Sequence, residues 1–222
     1  IGLGSGRMLG LGLGDRAGRE LLPVGHPLAT MGRAQSAAPP GETVLDVSTY
    51  RACQEMVDCV PLGDDLYQVV ALRERPSAYG VMTLPQPPQL EERDLLVWFL
   101  SRLDALTPYL APSLLERLVA APTLDRIRMY SERRWVTVMM LALTGLPDLL
   151  PYWGDEAKLQ QAIAEPNAAF IQIRDAIQRY DGIVNKIAVA PSGAYIMALF
   201  GAPHGHEDDP LRAVLAALEL QE

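Results

Sequence analysis

The stretch from Gly182 to Pro210 constrains this chain most. It holds two apolar runs, Ile183 to Ala190 and Ala194 to Gly201, split by Pro191-Ser192-Gly193. Proline suits the second position of a type I turn and glycine its last, so the pattern predicts a β-hairpin. Asp209 then suits an N-cap, and Pro210 the first position of a helix whose apolar face is Leu211, Val214, Leu215 and Leu218. The unit reads strand, turn, strand, helix. One residue breaks the apolar pattern: Lys186, in the first strand. Its ammonium must reach water, a carboxylate or a ligand, because burying a lone charge is costly. A lysine snorkelling from an edge strand satisfies this, and so does a lysine that binds a ligand.

The chain has 222 residues, 49% of them hydrophobic, enough for one large core or two small ones. A net charge of -8 without clustered Lys and Arg argues against duplex nucleic acid as a partner. No stretch approaches the roughly 18 uninterrupted apolar residues of a membrane span. No charged-then-apolar leader is seen either, so a cytoplasmic protein is expected. Cys53 and Cys59 lack the second pair that a zinc site requires, and reduced structural thiols are expected. The chain opens on Ile1, inside what reads as a strand, and is expected to be a fragment.

Residues 1–14 alternate Leu or Met with Gly. Neither G-x-G-x-x-G nor the phosphate-loop spacing is met, and a strand pair with close backbone approach fits better. A short strand and turn follow at Glu20 to Pro27, then a helix over Pro27 to Ala37, stopped by Pro39-Pro40-Gly41. Thr43 to Val47 reads as a strand, Ser48 to Met56 as a short helix and Tyr67 to Leu72 as a last strand. Arg73-Glu74-Arg75-Pro76 and Pro85-Gln86-Pro87-Pro88 have linker composition. A helix over Glu92 to Leu106 carries the stripe Leu95, Leu96, Phe99, Leu103 and Leu106, and Ser113 with Glu116 fits a capping box for another ending near Ala121. Both are expected to pack on something. Arg134 to Leu143 reads as a strand, with helices at Asp155 to Ala164 and Asn167 to Tyr180 before the hairpin.

Several of these motifs, in order, resemble a known family. The segment from Glu132 to Glu222 is similar to the N-terminal half of a class III nucleotide cyclase domain, the family of adenylyl and guanylyl cyclases. The carriers are Arg133-Arg134-Trp135-Val136-Thr137-Val138, Gly182-Ile183-Val184-Asn185-Lys186, and Phe200-Gly201-Ala202-Pro203 followed by His206-Glu207-Asp208-Asp209-Pro210. Residues 1–73 resemble the C-terminal half of such a domain through Ile1-Gly2-Leu3-Gly4-Ser5-Gly6, Pro23-Val24-Gly25-His26, Arg33, and Ala37 through Glu42 with Tyr50. The resemblance implies an α+β fold. It would comprise ferredoxin-like cyclase half-domains at 1–73 and 132–222, joined by a Pro-containing helical linker at 74–131. Soluble adenylyl cyclases with tandem domains are the most similar arrangement.

What the resemblance implies about chemistry is mostly loss. Family members with complete sites hold two Mg2+ ions on a pair of aspartates, which stabilise the attacking and leaving oxygens as ATP becomes cyclic AMP and pyrophosphate. Those two positions are Ala142 and Ala190 here; the family's ribose-positioning Asn is Ala29, its Arg is retained as Arg33, and the position that often carries an adenine-contacting Asp is His26. All the losses fall in one of the two sites that a head-to-tail domain pair forms. Lys186 belongs to the other, where its ammonium would donate to a purine ring nitrogen. Arg33 belongs to the degenerate site, which in soluble cyclases takes a regulatory anion such as bicarbonate; pairing of Arg33 with an acidic neighbour is the alternative. The partners implied are ATP and the missing domain halves or another cyclase domain. The metal ligands would lie on other sequence, and these residues alone are expected to be inactive. A non-catalytic regulatory or dimerisation module is the competing function, and docking of the two halves into one permuted domain is a third option. His204, His206, Glu207, Asp208 and Asp209 offer metal-ligand types, but their spacing fits an acidic helix N-terminus better.

Overall fold

The leucine-glycine alternation becomes a hairpin. In the computed structural model, which describes residues 1–73, 86, 88–111, 114–115, 119–120, 133–143, 149–190 and 193–221, a short strand β1 (Gly2–Leu3) precedes β2 (Leu9–Asp15) and β3 (Gly18–Val24). β2 and β3 are antiparallel, with Leu11 opposite Leu22 and Leu13 opposite Glu20. Leu11, Leu13 and Leu22 are buried while Gly10 and Gly12 face outward. A Cβ at Gly12 would lie 2.6 Å from the Tyr109 hydroxyl, so a larger residue there would displace the end of that side chain.

Helix α1 (His26–Ala37) follows, with Pro27 in its first turn. β1 lies so close to it that a Cβ on Gly2 would meet the Gln35 backbone nitrogen at 2.2 Å. Then come β4 (Val44–Asp46), α2 (Val47–Cys53), β5 (Val57–Gly63) and β6 (Leu66–Leu72). Asp46 caps α2 by accepting from the Thr49 backbone N–H at 2.8 Å. The four-stranded sheet runs β1-β4-β6-β5, with β1 and β4 parallel. β5 is absent from the sequence-based assignment because Asp58 and Pro61 disguise it. It is an edge strand with two register shifts, where proline is tolerated.

Helix α3 (Glu92–Leu106) has the expected bounds, yet none of its residues is buried, and Leu96, Phe99, Leu103 and Leu106 are all exposed. Among the described residues its main packing is on the 3-10 turn Thr107–Tyr109 that continues it. The second linker helix lies largely outside the described residues, and its capping-box pair Ser113 and Glu116 and the whole stretch at 74–85 lie outside them.

The C-terminal part holds β7 (Thr137–Leu143), α4 (Glu156–Arg179), β8 (Ile183–Ala190), β9 (Gly193–Phe200) and α5 (Asp209–Glu219). Where two helices were expected, α4 is continuous through Pro166. Proline withdraws one helical N–H, but Ile163 before it and Phe170 after it bury in the same core and hold the helix together. The hairpin's expected turn, at 191–192, lies outside the described residues. The strands form an antiparallel sheet, β7-β9-β8.

Helix α5 is rotated from expectation. Ala213 and Ala216 are buried, whereas Leu211 is 56% and Val214 54% exposed, with Leu215 and Leu218 also exposed. The small alanines let the helix close on Ala198, Phe200 and Ile177. Asp208 occupies the N-cap position, and Asp209, expected there, is buried in the first turn and accepts the His206 backbone N–H at 2.9 Å.

The architecture is α+β, and its N- and C-terminal parts share a core. Leu11, Leu13 and Leu22 of the hairpin cluster with Phe170, Ile187 and Ile196. The strands do not merge, however: the hairpin, the four-stranded sheet and the three-stranded sheet remain separate. No helix among the described residues is long and apolar enough to cross a membrane.

Candidate functional site

The three-stranded sheet has two unlike faces. Ala194, Ile196, Ala198 and Phe200 of β9 are buried on the side covered by α4 and α5, whereas Tyr195, Met197 and Leu199 on the other side are only half-buried. Lys186 reaches that open side through a β-bulge. Val184 pairs with Ala198, and a regular ladder would then place Lys186 across from buried Ile196. The register shift between Val184 and Lys186 inserts Asn185 and sets Lys186 across from Met197 instead. Lys186 is therefore exposed, and Ile187 takes the core position. The bulge explains how an apolar strand accommodates a cation.

Tyr195 lies between Ala188 of β8 and Ala142 of β7, so Ala142 shares the open side with Lys186. Ala142 is exposed, and Ala190 pairs with Gly193 at the end of β8. Neither offers an oxygen or nitrogen side-chain donor, so these positions do not fit Mg2+. Among the described residues no group of three or more His, Cys, Asp or Glu is placed to hold a metal ion.

On α1, His26, Ala29 and Arg33 form one exposed stripe, while Pro27, Thr30 and Ala34 face inward. Arg33 makes no hydrogen bond or ion pair among the described residues. α1 touches β8, the strand of Lys186, so both residues lie on neighbouring elements. Among the described residues no hydrogen bond joins them.

A second feature escaped the sequence. A cavity of about 620 Å³ opens where the hairpin tip meets α4, the 3-10 turn and the start of β8. Arg174, on the buried stripe of α4, is 4% exposed and stays charged there by donating to several acceptors. Its Nη1 donates to Asp15 Oδ1 at 2.6 Å and to the Gly18 carbonyl at 2.9 Å. Its Nη2 donates to Asp15 Oδ2 at 3.1 Å and to Asp175 Oδ1 at 2.7 Å. The Arg174 hydrogen bond, foremost, holds the Asp15 carboxyl down at about 2. The Gly14 N–H adds a bond to Asn167 Oδ1 at 2.7 Å. Thus residues far apart in the chain fix the hairpin to α4.

Glu20 also borders the cavity, half-buried, and burial pushes its carboxyl up. The signal was available, since Leu11, Leu13 and Leu22 set the apolar face onto which the register puts Glu20. At the far wall His206 Nδ1 lies 3.3 Å from Asp209, and Arg212 bridges Asp181 at 2.7 Å and Asp208 at 2.8 Å. Cys53 and Cys59 are free thiols, and burial foremost raises Cys59.

No family model matches the chain, and no curated protein matches it.

Proposed function

We propose that this chain is the joint region of a tandem class III adenylyl cyclase, in which the back half of one cyclase domain meets the front half of the next. The observation that carries the reading is the bulge at Asn185, which puts Lys186 on the open sheet face that it shares with Ala142. Further support comes from the element order β7-α4-β8-β9-α5 with strands arranged β7-β9-β8, which matches five of the six elements of a ferredoxin-like split βαβ unit. β1 and β7 each end a sheet, where the missing halves would add strands. In this reading Lys186 donates to a ring nitrogen of ATP and so selects and orients the purine. The Mg2+ ligands for forming cyclic AMP and pyrophosphate come from sequence outside this chain, in a cytoplasmic protein. Arg33, exposed and free of an acidic partner among the described residues, receives the regulatory anion.

The test is cyclic AMP formation by the intact protein. Lys186→Ala should lower kcat/KM for ATP by about tenfold to a hundredfold, as expected for loss of one charged hydrogen bond. Unchanged kinetics would remove Lys186 from the site. Bicarbonate titration of Arg33→Ala should lose the response of the native protein, and an identical dose response would free Arg33 of that role. Ala29, Ala142 and Ala190 favour the second reading, a non-catalytic regulatory or dimerisation module. Absence of any cyclic AMP formation by the intact protein would select it.

A further inference from the structure

The cavity at the hairpin tip goes beyond the cyclase reading, since neither Lys186 nor Arg33 borders it. The inner face of the hairpin pairs Leu9 with Val24, Leu11 with Leu22 and Leu13 with Glu20. Glu20 therefore stands on the same face as Leu9, Leu11, Leu13, Leu22 and Val24, and, unlike Asp15 at the hairpin tip, it has no arginine paired with it. It is half-buried and makes no hydrogen bond or ion pair among the described residues. A desolvated carboxylate without a cation is costly, so the position is poorly explained by stability alone. Arg174 cannot supply the cation, because its donors are committed to Asp15, Asp175 and Gly18. Arg19, which also borders the cavity, is exposed, and water screens its charge. Leu110, Phe170 and Val184 give the lining an apolar part beside the polar Tyr109, Gln178, Asp181, Asn185, His204 and His206, and the volume lies within the range of small-molecule sites.

We propose that this cavity binds a small organic ammonium ion with an aryl or alkyl body, its N–H groups donating to the Glu20 carboxylate and its body packing on Leu110, Phe170 and Val184. The walls come from both ends of the chain, so the occupant ties the hairpin to the three-stranded sheet. A bound cation favours ionised Glu20, so binding weakens where acid protonates that carboxyl, in a cavity that Arg19, Arg174, Asp181, His204 and His206 also line.

Phenethylammonium chloride titrated into the full chain, followed by calorimetry and amide NMR shifts, tests this. 3-Phenylpropionate and phenethyl alcohol serve as charge-reversed and neutral controls. The ammonium should bind best, with shifts at the cavity walls and weaker binding at acid pH. Glu20→Gln, which keeps the size of the side chain, should weaken it about tenfold or more, as loss of a charged hydrogen bond does. Equal affinity in Glu20→Gln, preference for the carboxylate, or no binding by any of the three into the millimolar range would overturn the proposal. The probe series and the pH dependence use the unmodified chain, so they decide the matter even if the variant is unstable.

Discussion

The seam around Arg174 and the open sheet face around Lys186 solve one problem in opposite ways. Each cation lies in an element whose neighbours are apolar. Arg174 stays inside, because Asp15, Asp175 and the Gly18 carbonyl accept its donors. Lys186 stays outside, because one extra residue turns it from the core side to the solvent side. A planar guanidinium can be satisfied by several fixed acceptors, whereas a flexible ammonium is more easily kept in water. The difference marks the seam as a structural joint and the open face as a surface that carries charge at little cost to folding.

Three experiments press on that contrast. The largest effect belongs to Arg174→Ala, which strips Asp15, Asp175 and the Gly18 carbonyl of a donor and empties a buried volume. It should destabilise the chain by about 3 kcal/mol in urea melts, the low end for a broken buried pair, because water still reaches Asp15. A loss below about 1 kcal/mol would deny the seam its structural role. Next comes acid. Asp15 is held at about 2, against an ordinary 3.8, so the folded state binds fewer protons than the unfolded chain in that interval. Its contribution is fully present above the ordinary value and is lost as pH falls from about 4 to about 2. Asp15→Asn should flatten that part of the stability profile, and an unchanged slope would mean that the pair does not govern it. The smallest effect is that of Lys186→Met, which should leave stability within about 0.5 kcal/mol, as for other exposed positions. A large destabilisation would place Lys186 in a packed environment and erase the contrast with Arg174.

Much of the scaffold was legible in the residues, since local pattern decides local structure. The bounds of α3, the strands β8 and β9 and the helix over Pro27 to Ala37 follow from apolar spacing and from glycine and proline punctuation. What failed depended on distant partners. Leu211 and Val214 form the more apolar stripe of α5, but it is Ala213 and Ala216 that bury beside Phe200. Pro166 signals a break that shared burial of Ile163 and Phe170 overrides. For the candidate site, Lys186 stood out by its charge, yet its side of the sheet depended on a bulge that no periodicity announces. Arg174 stayed hidden because its acceptors Asp15 and Gly18 lie far away in the sequence, whereas Glu20 interrupts an apolar alternation with Leu22 and Val24.

That separation bears on how the chain acquires its shape. Asp15 and Arg174 lie 159 positions apart, so the clamp cannot close until the whole stretch between them has been made. During synthesis Leu11, Leu13 and Leu22 emerge well before Phe170, Ile187 and Ile196 and wait without the helix and sheet that will cover them. Contacts of such long range slow folding and prolong the life of sticky intermediates. The apolar side of the first hairpin is thus the place where a ribosome-bound chain most needs shielding.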